Sequence, residues 1–548
     1  MITLRDRMTG DLFDRRSELG EKRRRLLDRS WAGVFRDHLL DGLPIEELLP
    51  HFDDRMGRPS KDLHVVIGVL ILQQLHDLSD AATVEALAFN ITWHHALDVR
   101  TEADCYICEK TLRNYRRLFI AKGLDEVLFR RMTDRLVRGF DVDTSRQRMD
   151  STALRSAMRS LTRLGIVVET ISKFARELER FDSALYARID ADIIRRYVDR
   201  TGAGCFSNTA PSASKRRLDD AGRDLMNVVE QFRTTAAAGL PGYLLLDQVL
   251  NEQFEVTPGG DGDRSSAAAI PRKPADMPCD GISNPADPDA SYNTHKGLGY
   301  IAQVVETYAE DDDLEREPAS RVPDLITHVD VHKMTVHDHC PAAHACMCER
   351  GHALPNALHD LAARSLTPKV LLADSHYGST DSMALANTCG VDLTAPAQTA
   401  KGQGSGRLTL EDFSLDEEGL VEKCPNGVAP VSTSAAKAKL QARFDLSICR
   451  GCPKRERCPV RVEKHDGQYA RFQYTPERAE NARRRLYEDT DEFREIYRWR
   501  AGVEATMSRL KYQMNLAQLR IRGMAAMRYT VNLRALGLNI RRCTAVWV

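Results

Sequence analysis

A chain of 548 residues is too long for a single hydrophobic core, and its length predicts two to four domains. The hydrophobic content of 42% and charged content of 29% are typical of an ordinary soluble protein. Because the net charge is −1, no global field attracts nucleic acid, and any DNA affinity has to come from local basic patches.

The expected cellular compartment is inferred from two kinds of segment, membrane-spanning segments and signal peptides. The longest apolar run, 65–72, is far shorter than the roughly 18–20 residues that span a bilayer. The first residues have no apolar signal-peptide region. We therefore expect a cytoplasmic protein, in which the 13 cysteines are thiols or metal ligands rather than disulfides.

Residues 1–138 are predicted to be helical. A turn at 57–60 precedes a helix of about 61–77 that is apolar on most sides, which makes it the centre of a small bundle. The helix at 109–122 has one apolar face, and basic residues surround the other side: Lys110, Arg113, Arg116 and Arg117. This pattern fits a recognition helix of a helix-turn-helix arrangement and, equally well, a basic surface on a packing helix.

Two aspartates follow segments with the pattern of strands. Residues 139–152 are predicted to form a strand that leads to Asp150, although an isolated aspartate there is usually a turn residue or a helix cap. Residues 368–374, PKVLLAD, form a continuous apolar run, which is typical of a strand buried on both faces. Asp374 ends that run, and sites in open α/β sheets lie at the carboxyl ends of strands.

The segments between these aspartates divide into a helical part and two further strands. Residues 153–198 and 212–255 have helical periodicity and predict an inserted hairpin or small bundle, with a linker rich in Gly, Pro, Ser and Asp after it. After the linker, two strands are predicted, at 295–307 and 324–331.

Four cysteines lie within 35 residues and include a Cys-x2-Cys pair: Cys424, Cys449, Cys452 and Cys458. This set suits tetrahedral thiolate coordination of zinc. Zinc would replace the core that so small an insert cannot build, and it would be structural because four thiolates leave no open position. The alternative is a reduced, metal-free loop, since Cys424 lies apart from the other three.

The segment 497–511, YRWRAGVEATMSRLK, is the most informative part of the chain. On a helix, which turns about 100° per residue, four of its side chains fall within an arc of roughly 60°; they are Tyr497, Arg500, Glu504 and Lys511. A surface helix with one Arg–Glu pair is the simpler interpretation. Against it, ten Lys or Arg residues and a single acid occur between 497 and 542. We expect later arginines to continue this basic surface: Arg520, Arg522, Arg528, Arg534, Arg541 and Arg542.

The Y-x2-R-x3-E-x6-K order resembles the signature of the DDE transposases of bacterial insertion sequences. The segment from residue 57 onward resembles the N-terminal domain of many such proteins. This resemblance implies a ribonuclease H-like sheet that brings Asp150, Asp374 and Glu504 together as catalytic residues. Hard oxygen ligands of this kind suit two magnesium or manganese ions.

The predicted fold class is multidomain α+β or α/β: a ribonuclease H-like mixed sheet with flanking helices, interrupted by a helical insert and a small zinc-ribbon-like insert. The predicted domains are a helical DNA-end-binding domain (1–138), the catalytic domain (139–155, 290–398 and 476–548), the helical insert with its linker (156–289) and the Cys-rich insert (399–475).

The resemblance also implies a function. Such enzymes bind the terminal inverted repeats of their element, often as a homodimer, and transfer the ends to target DNA by cut-and-paste. The expected location is the bacterial cytoplasm, in association with the nucleoid. The expected DNA contacts are Tyr497, Arg500, Lys511, Arg113, Arg116 and Arg117. Two alternatives stay open: an inactive or domesticated DNA-binding protein of the same fold, and a ribonuclease H-like nuclease without transposition.

Overall fold

The fold is taken from a computed structural model. It describes the following residues: 19–52, 60–100, 102–200, 211–257, 268–278, 280–310, 321–334, 353–397, 406–436, 439–462 and 467–547. The turn expected at 57–60 lies mostly outside these ranges. Of the described helices, none alone is long and apolar enough to cross a membrane, and only the pair Leu63–Leu75 and Asp80–Phe89, bent by 118°, reaches that length and composition together.

The chain begins with helices, as predicted. The α-helices described before the first strand are α1 (Glu21–Asp28), α2 (Trp31–Val34), α3 (Leu63–Leu75), α4 (Asp80–Phe89), α5 (Ile91–Ala96), α6 (Glu109–Lys122) and α7 (Leu124–Gly139). Asp62 caps α3 by accepting hydrogen bonds from the backbone N–H groups of His64 and Val65. Almost all of α3 is buried, which confirms that it is the centre of this bundle.

The first strand, β1 (Arg146–Arg155), follows this bundle. It begins and ends later than the predicted strand at 139–152, so Asp150 lies in its middle and not at its end. The helical insert then comprises α8 (Arg163–Phe181), α9 (Ser183–Tyr186), α10 (Ala191–Ile193), α11 (Pro211–Phe232) and α12 (Pro241–Gln253), with the hairpin β2 (Phe254–Thr257) and β3 (Ala268–Pro271).

The remaining elements of the main sheet are β4 (Ser291–Asn293), β5 (Gly297–Thr307), β6 (Ile326–Lys333), α13 (Ala353–Ala363), β7 (Val370–Leu372), α14 (Thr380–Thr388) and β8 (Asp392–Thr394). Antiparallel pairing joins β1 to β5, and β5 to both β4 and β6. Parallel pairing joins β1 to β7 and β7 to β8. The sheet is therefore mixed. Its first strand along the chain, β1, lies between an antiparallel neighbour, β5, and a parallel neighbour, β7.

The Cys-rich segment forms two small sheets of its own. Its elements are β9 (Ser414–Leu415), β10 (Val421–Lys423), β11 (Ser432–Ala436), β12 (Lys439–Asp445), α15 (Leu446–Arg450), β13 (Arg461–Val462) and β14 (Tyr469–Tyr474). The strands β9 and β10 pair with each other, and the other four follow the order β11-β12-β14-β13.

The C-terminal part is helical, as predicted, and comprises α16 (Pro476–Glu488), α17 (Asp491–Tyr497), α18 (Gly502–Ser508) and α19 (Met524–Val546). The long helix α19 packs against α3, α7 and β6. Its Asn539 side chain accepts a hydrogen bond from the Ile326 backbone N–H and donates one to the Ile326 carbonyl. Helix α19 thus joins the N-terminal helices to the sheet.

Buried apolar side chains of the described chain form three clusters. The largest unites the N-terminal helices, the main sheet, α18 and α19. A second lies within the helical insert, from Leu164 to Ile282, and a third lies between Leu410 and Ala482. The N-terminal helices therefore share one core with the sheet, while each insert has its own. The exact division into domains stays a prediction.

Candidate active site

Asp150 lies on β1, and Asp374 comes two residues after the end of the neighbouring parallel strand, β7. Arg148 of β1 pairs with Leu372 of β7, and each aspartate lies two residues further along the chain from this pair. Neighbouring strands are about 4.8 Å apart, so the two carboxylates start from the same level of the sheet. This level is the carboxyl end of the parallel β1–β7 pairing, where sites in such sheets are found.

The Tyr497 side chain is fixed next to this pair. Its hydroxyl donates a 3.1 Å hydrogen bond to the carbonyl of Ala373, the residue before Asp374. Its ring stacks on that of Phe493, with centroids 5.0 Å apart. Burial raises the pKa of Tyr497 to about 12, and the negative charges of Asp374 and Asp150 act in the same direction. Tyr497 therefore anchors the end of α17 beside Asp374.

Glu504 is joined to Asp150 by a single guanidinium. One Arg500 nitrogen lies 2.8 Å from an Asp150 oxygen, and another lies 2.9 Å from a Glu504 oxygen. The Arg500 side chain is 17% exposed, whereas that of Glu504 is 66% exposed. Arg500 thus lies between two of the three acids expected from the sequence, Asp150 and Glu504, while Asp374 follows the strand next to that of Asp150.

The signature segment is not one regular helix. A 3-10 turn at Arg498–Ala501 separates α17 from α18, and a π-helical turn at Arg509–Gln513 follows α18. The regular 100° spacing therefore does not hold from Tyr497 to the end of the segment. Lys511 lies in the π-helical turn, and no contact described for it reaches the three acids.

A buried group of charged residues supports α18, and the sequence analysis missed it. The Arg148 guanidinium lies 2.7 Å from Glu306 and donates a 2.8 Å hydrogen bond to the Trp499 carbonyl. The other Glu306 oxygen accepts hydrogen bonds from Thr506, at 2.6 Å, and from Arg542, at 2.9 Å. The sequence signal for this group is the position of Arg148, two residues before the aspartate on the same strand face.

Gly502 makes room for this contact. A Cβ atom at position 502 would lie 2.2 Å from an Arg148 guanidinium nitrogen, closer than real Cβ contacts come. A side chain at position 502 would therefore push the Arg148 guanidinium away from the Trp499 carbonyl, which lies just before α18.

The acids fit a hard divalent cation by chemistry, since all three supply carboxylate oxygens. Within the described ranges, however, no set of three or more His, Cys, Asp or Glu side chains lies close enough together to hold a metal ion. Arg500 explains this for two of the acids, because its guanidinium takes up the facing oxygens of Asp150 and Glu504.

Two segments of the chain match known family models. Residues 423–544 match the family model described as transposase DDE domain, and residues 29–118 match the transposase domain DUF772. Both matches are consistent with an insertion-sequence DDE transposase. The DDE match contains Glu504 but neither aspartate, and it implies a ribonuclease H-like fold, in agreement with the mixed sheet. No curated protein and no solved structure gives a significant match to the chain.

Four cysteines lie inside the matched DDE segment and line one cavity of about 30 Å³: Cys424, Cys449, Cys452 and Cys458. None of them forms a disulfide. Burial raises the pKa of the Cys449 and Cys458 thiols, and the neighbouring cysteines act in the same direction. The four thiols share one cavity, as a zinc site requires, but they are not drawn together as tightly as bound ligands.

Part of the basic face of α6, the predicted recognition helix, contacts an acidic residue of the neighbouring helix α4. Arg116 forms two hydrogen bonds with Asp80, at 2.7 and 2.8 Å, and Arg113 lies 3.9 Å from the same carboxylate. Arg116 thus stabilises the contact between α4 and α6, and its guanidinium is already bound to Asp80. Arg117 is exposed and Arg113 is half-exposed, so the predicted DNA contact of α6 rests on these two side chains.

Proposed function

We propose that this chain cleaves DNA at the ends of its insertion sequence and joins those ends to a target, with Asp150, Asp374 and Glu504 as catalytic residues. The observation that carries the proposal is that Asp150 and Asp374 both lie two residues beyond the last pair of the parallel strands β1 and β7, with Glu504 joined to Asp150 through Arg500. The matches to two transposase domains support DNA as the substrate.

The three carboxylates are the residues that would hold two magnesium or manganese ions. When bound, such ions supply activation of the attacking oxygen and stabilisation of the leaving oxygen. The chain's own groups orient the DNA. Arg500 can donate two parallel N–H hydrogen bonds to a phosphate once the phosphate replaces its carboxylate partners. Lys511 adds a point charge.

Two supports keep the acids in place. Tyr497 fixes the backbone ahead of Asp374 through the Ala373 carbonyl. Arg148 fixes the turn ahead of Glu504 through the Trp499 carbonyl. We therefore assign Tyr497 to positioning, in addition to any contact that its ring makes with DNA. Water attacks first and nicks the DNA, and the 3′-hydroxyl that this releases then attacks the target.

End recognition belongs to the N-terminal helices in this proposal. Arg113 and Arg117 of α6 contact the backbone of the terminal inverted repeats, and a homodimer holds two ends. The four cysteines bind one structural zinc ion. What supports zinc is their position around a single small cavity inside the matched DDE segment.

The test uses the full-length protein and DNA that carries the sequences flanking its gene, with magnesium or manganese. We expect nicking at the element ends and products joined to target DNA. Glu504→Gln should lower the cleavage rate at least about 100-fold and leave DNA binding intact. Glu495→Gln is the matched control, because Glu495 is exposed on the preceding helix, α17, and its ion pair within the described residues is with Arg498, 3.3 Å away.

Each alternative predicts another result. Binding without nicking by the wild-type protein would favour an inactive DNA-binding protein. Nicking without joined products would favour a nuclease. Glu504→Gln protein that cleaves at the wild-type rate would remove Glu504 from the site.

A further inference from the structure

A second basic feature lies on the other side of α18 from the acids. It is a groove of about 730 Å³ between α18, α19 and the segment 321–324. Its charged lining consists of five arginines and one acid: Arg148, Arg321, Arg509, Arg541, Arg542 and Asp324. None of the three proposed catalytic acids lines it.

The arginines divide into a floor and a rim. Arg148 is buried and the Arg542 side chain is 9% exposed, and their charges are balanced by Glu306 and Asp324. Arg509 and Arg541 are exposed on the rim, and neither has an ion pair within the described residues. Arg541 makes one hydrogen bond, from its guanidinium to the Leu75 carbonyl, which leaves its charge uncompensated. The net positive charge of the groove is therefore at its accessible edge.

The groove and the acids occupy opposite faces of one helix. Gly502, Ala505 and Thr506 line the groove, and on α18 they lie about 100–200° around the axis from Glu504. An α-helix with its side chains is about 10 Å thick, so a DNA strand at the acids does not reach the groove without passing around α18.

We propose that this groove binds the phosphate backbone of a second DNA segment, one that does not carry the scissile phosphate. Guanidinium groups bind phosphate oxygens bidentately, which suits an arginine-rich and lysine-free lining. DNA is the polyanion that a transposase handles, and strand transfer requires two DNA segments at one site. The proposal deepens the proposed function, on which it rests for the identity of the ligand.

The first experiment needs no catalysis, so its result is independent of whether the chain cleaves DNA. The full-length protein is titrated with a random-sequence duplex in metal-free buffer at several salt concentrations. Each lost phosphate contact lowers the slope of log K against log salt by about 0.9. Arg509→Ala should lower the slope by about 1, and the double variant Arg509→Ala, Arg541→Ala by about 2.

The matched control is the double variant Arg176→Ala, Arg180→Ala, in which two exposed arginines of α8 are removed. We expect its slope to equal that of the wild type. If loss of the Arg541–Leu75 hydrogen bond impairs folding of the double variant, the single variant Arg509→Ala still tests the proposal, since the Arg509 side chain has no hydrogen bond or ion pair within the described residues. An unchanged slope in Arg509→Ala, or an equal change in the control, would overturn the proposal.

The second experiment tests whether the DNA in the groove is a separate segment. Protein bound to an immobilised duplex is offered a second, fluorescent duplex. We expect the wild type and the α8 control to capture the second duplex. The groove variants should retain the first duplex and lose at least about 80–90% of the capture, in line with two lost phosphate contacts. Full capture by the groove variants would overturn the assignment to a second segment.

Discussion

Arg148 and Glu306 lie directly opposite each other on β1 and β5, and their side chains form a 2.7 Å ion pair inside the protein. The Arg148 side chain is 8% exposed and that of Glu306 is fully buried. Through Thr506 and Arg542, Glu306 also holds α18 and α19. One buried carboxylate therefore links the strand of Asp150 to the helix of Glu504.

Loss of this carboxylate should be costly. Glu306→Ala leaves Arg148 and Arg542 without their shared buried partner, and removal of one member of a buried pair typically costs about 3–5 kcal/mol. We expect the free energy of unfolding, measured by denaturant titration, to fall by that amount. Glu310→Ala is the control, because Glu310 pairs with Arg146 at the surface and should lose only about 0–1 kcal/mol. Equal losses in both variants would contradict this account.

A second prediction concerns Tyr497. Tyr497→Phe removes the hydrogen bond to the Ala373 carbonyl and keeps the ring that stacks on Phe493. If the hydroxyl positions the backbone ahead of Asp374, cleavage should slow by roughly ten- to hundred-fold while DNA affinity stays within about two-fold. Tyr487→Phe, at an exposed tyrosine that also contacts Phe493, should change neither quantity. A fall in DNA affinity with unchanged cleavage of bound DNA would instead assign Tyr497 to DNA contact.

The sequence predicted the parts of this site that local patterns encode. The apolar run 368–374 predicted a buried strand ahead of Asp374, and β7 occupies it. The spacing of Arg500 and Glu504 predicted a shared helix face, and the two side chains form an ion pair. Position 150 was predicted at the end of a strand. It lies mid-strand, because antiparallel pairing with β5 continues to Arg155 after parallel pairing with β7 has ended.

The charged contacts that local patterns do not encode could not be predicted. Arg534 was predicted to be part of a basic surface, but it is buried and ion-paired with Asp77, 457 positions earlier. Arg542 likewise pairs with Glu306 rather than with solvent. The local sequence around an arginine does not show whether its partner is a phosphate or a distant carboxylate. The partner depends on the fold, because the fold determines which acid lies next to the arginine.

The four cysteines allow a test by metal removal. Cys452→Ser should lower the zinc content of the purified protein from about one ion per chain to well below that, since structural zinc needs four ligands. Because zinc binding is coupled to folding, the segment 406–474 should become more sensitive to proteolysis. Cys389→Ser is the control, because Cys389 is exposed and does not line the cavity. Zinc content equal to the wild type in Cys452→Ser, or no zinc in the wild type, would refute the site.

The last prediction concerns His76, whose ring lies between two tryptophans. Its centroid is 4.7 Å from that of Trp31 and 5.9 Å from that of Trp93. Burial lowers the pKa of His76 to about 4, and the positive charge of Arg541 acts in the same direction. The unfolded chain, with an ordinary pKa of about 6.5, therefore binds a proton between these values that the folded chain does not bind.

The sign of the pH effect follows from this difference. Above about pH 6.5 both states are neutral at His76 and its full contribution to stability is present; as the pH falls toward 4, that contribution is lost. His76→Phe keeps an aromatic ring without the proton, so between about pH 7 and pH 5 it should lose about 1–2 kcal/mol less unfolding free energy than the wild type. His295→Phe, at an exposed histidine, should follow the wild-type curve. Parallel curves for His76→Phe and the wild type would show that His76 is protonated equally in both states, contrary to its burial between the two rings.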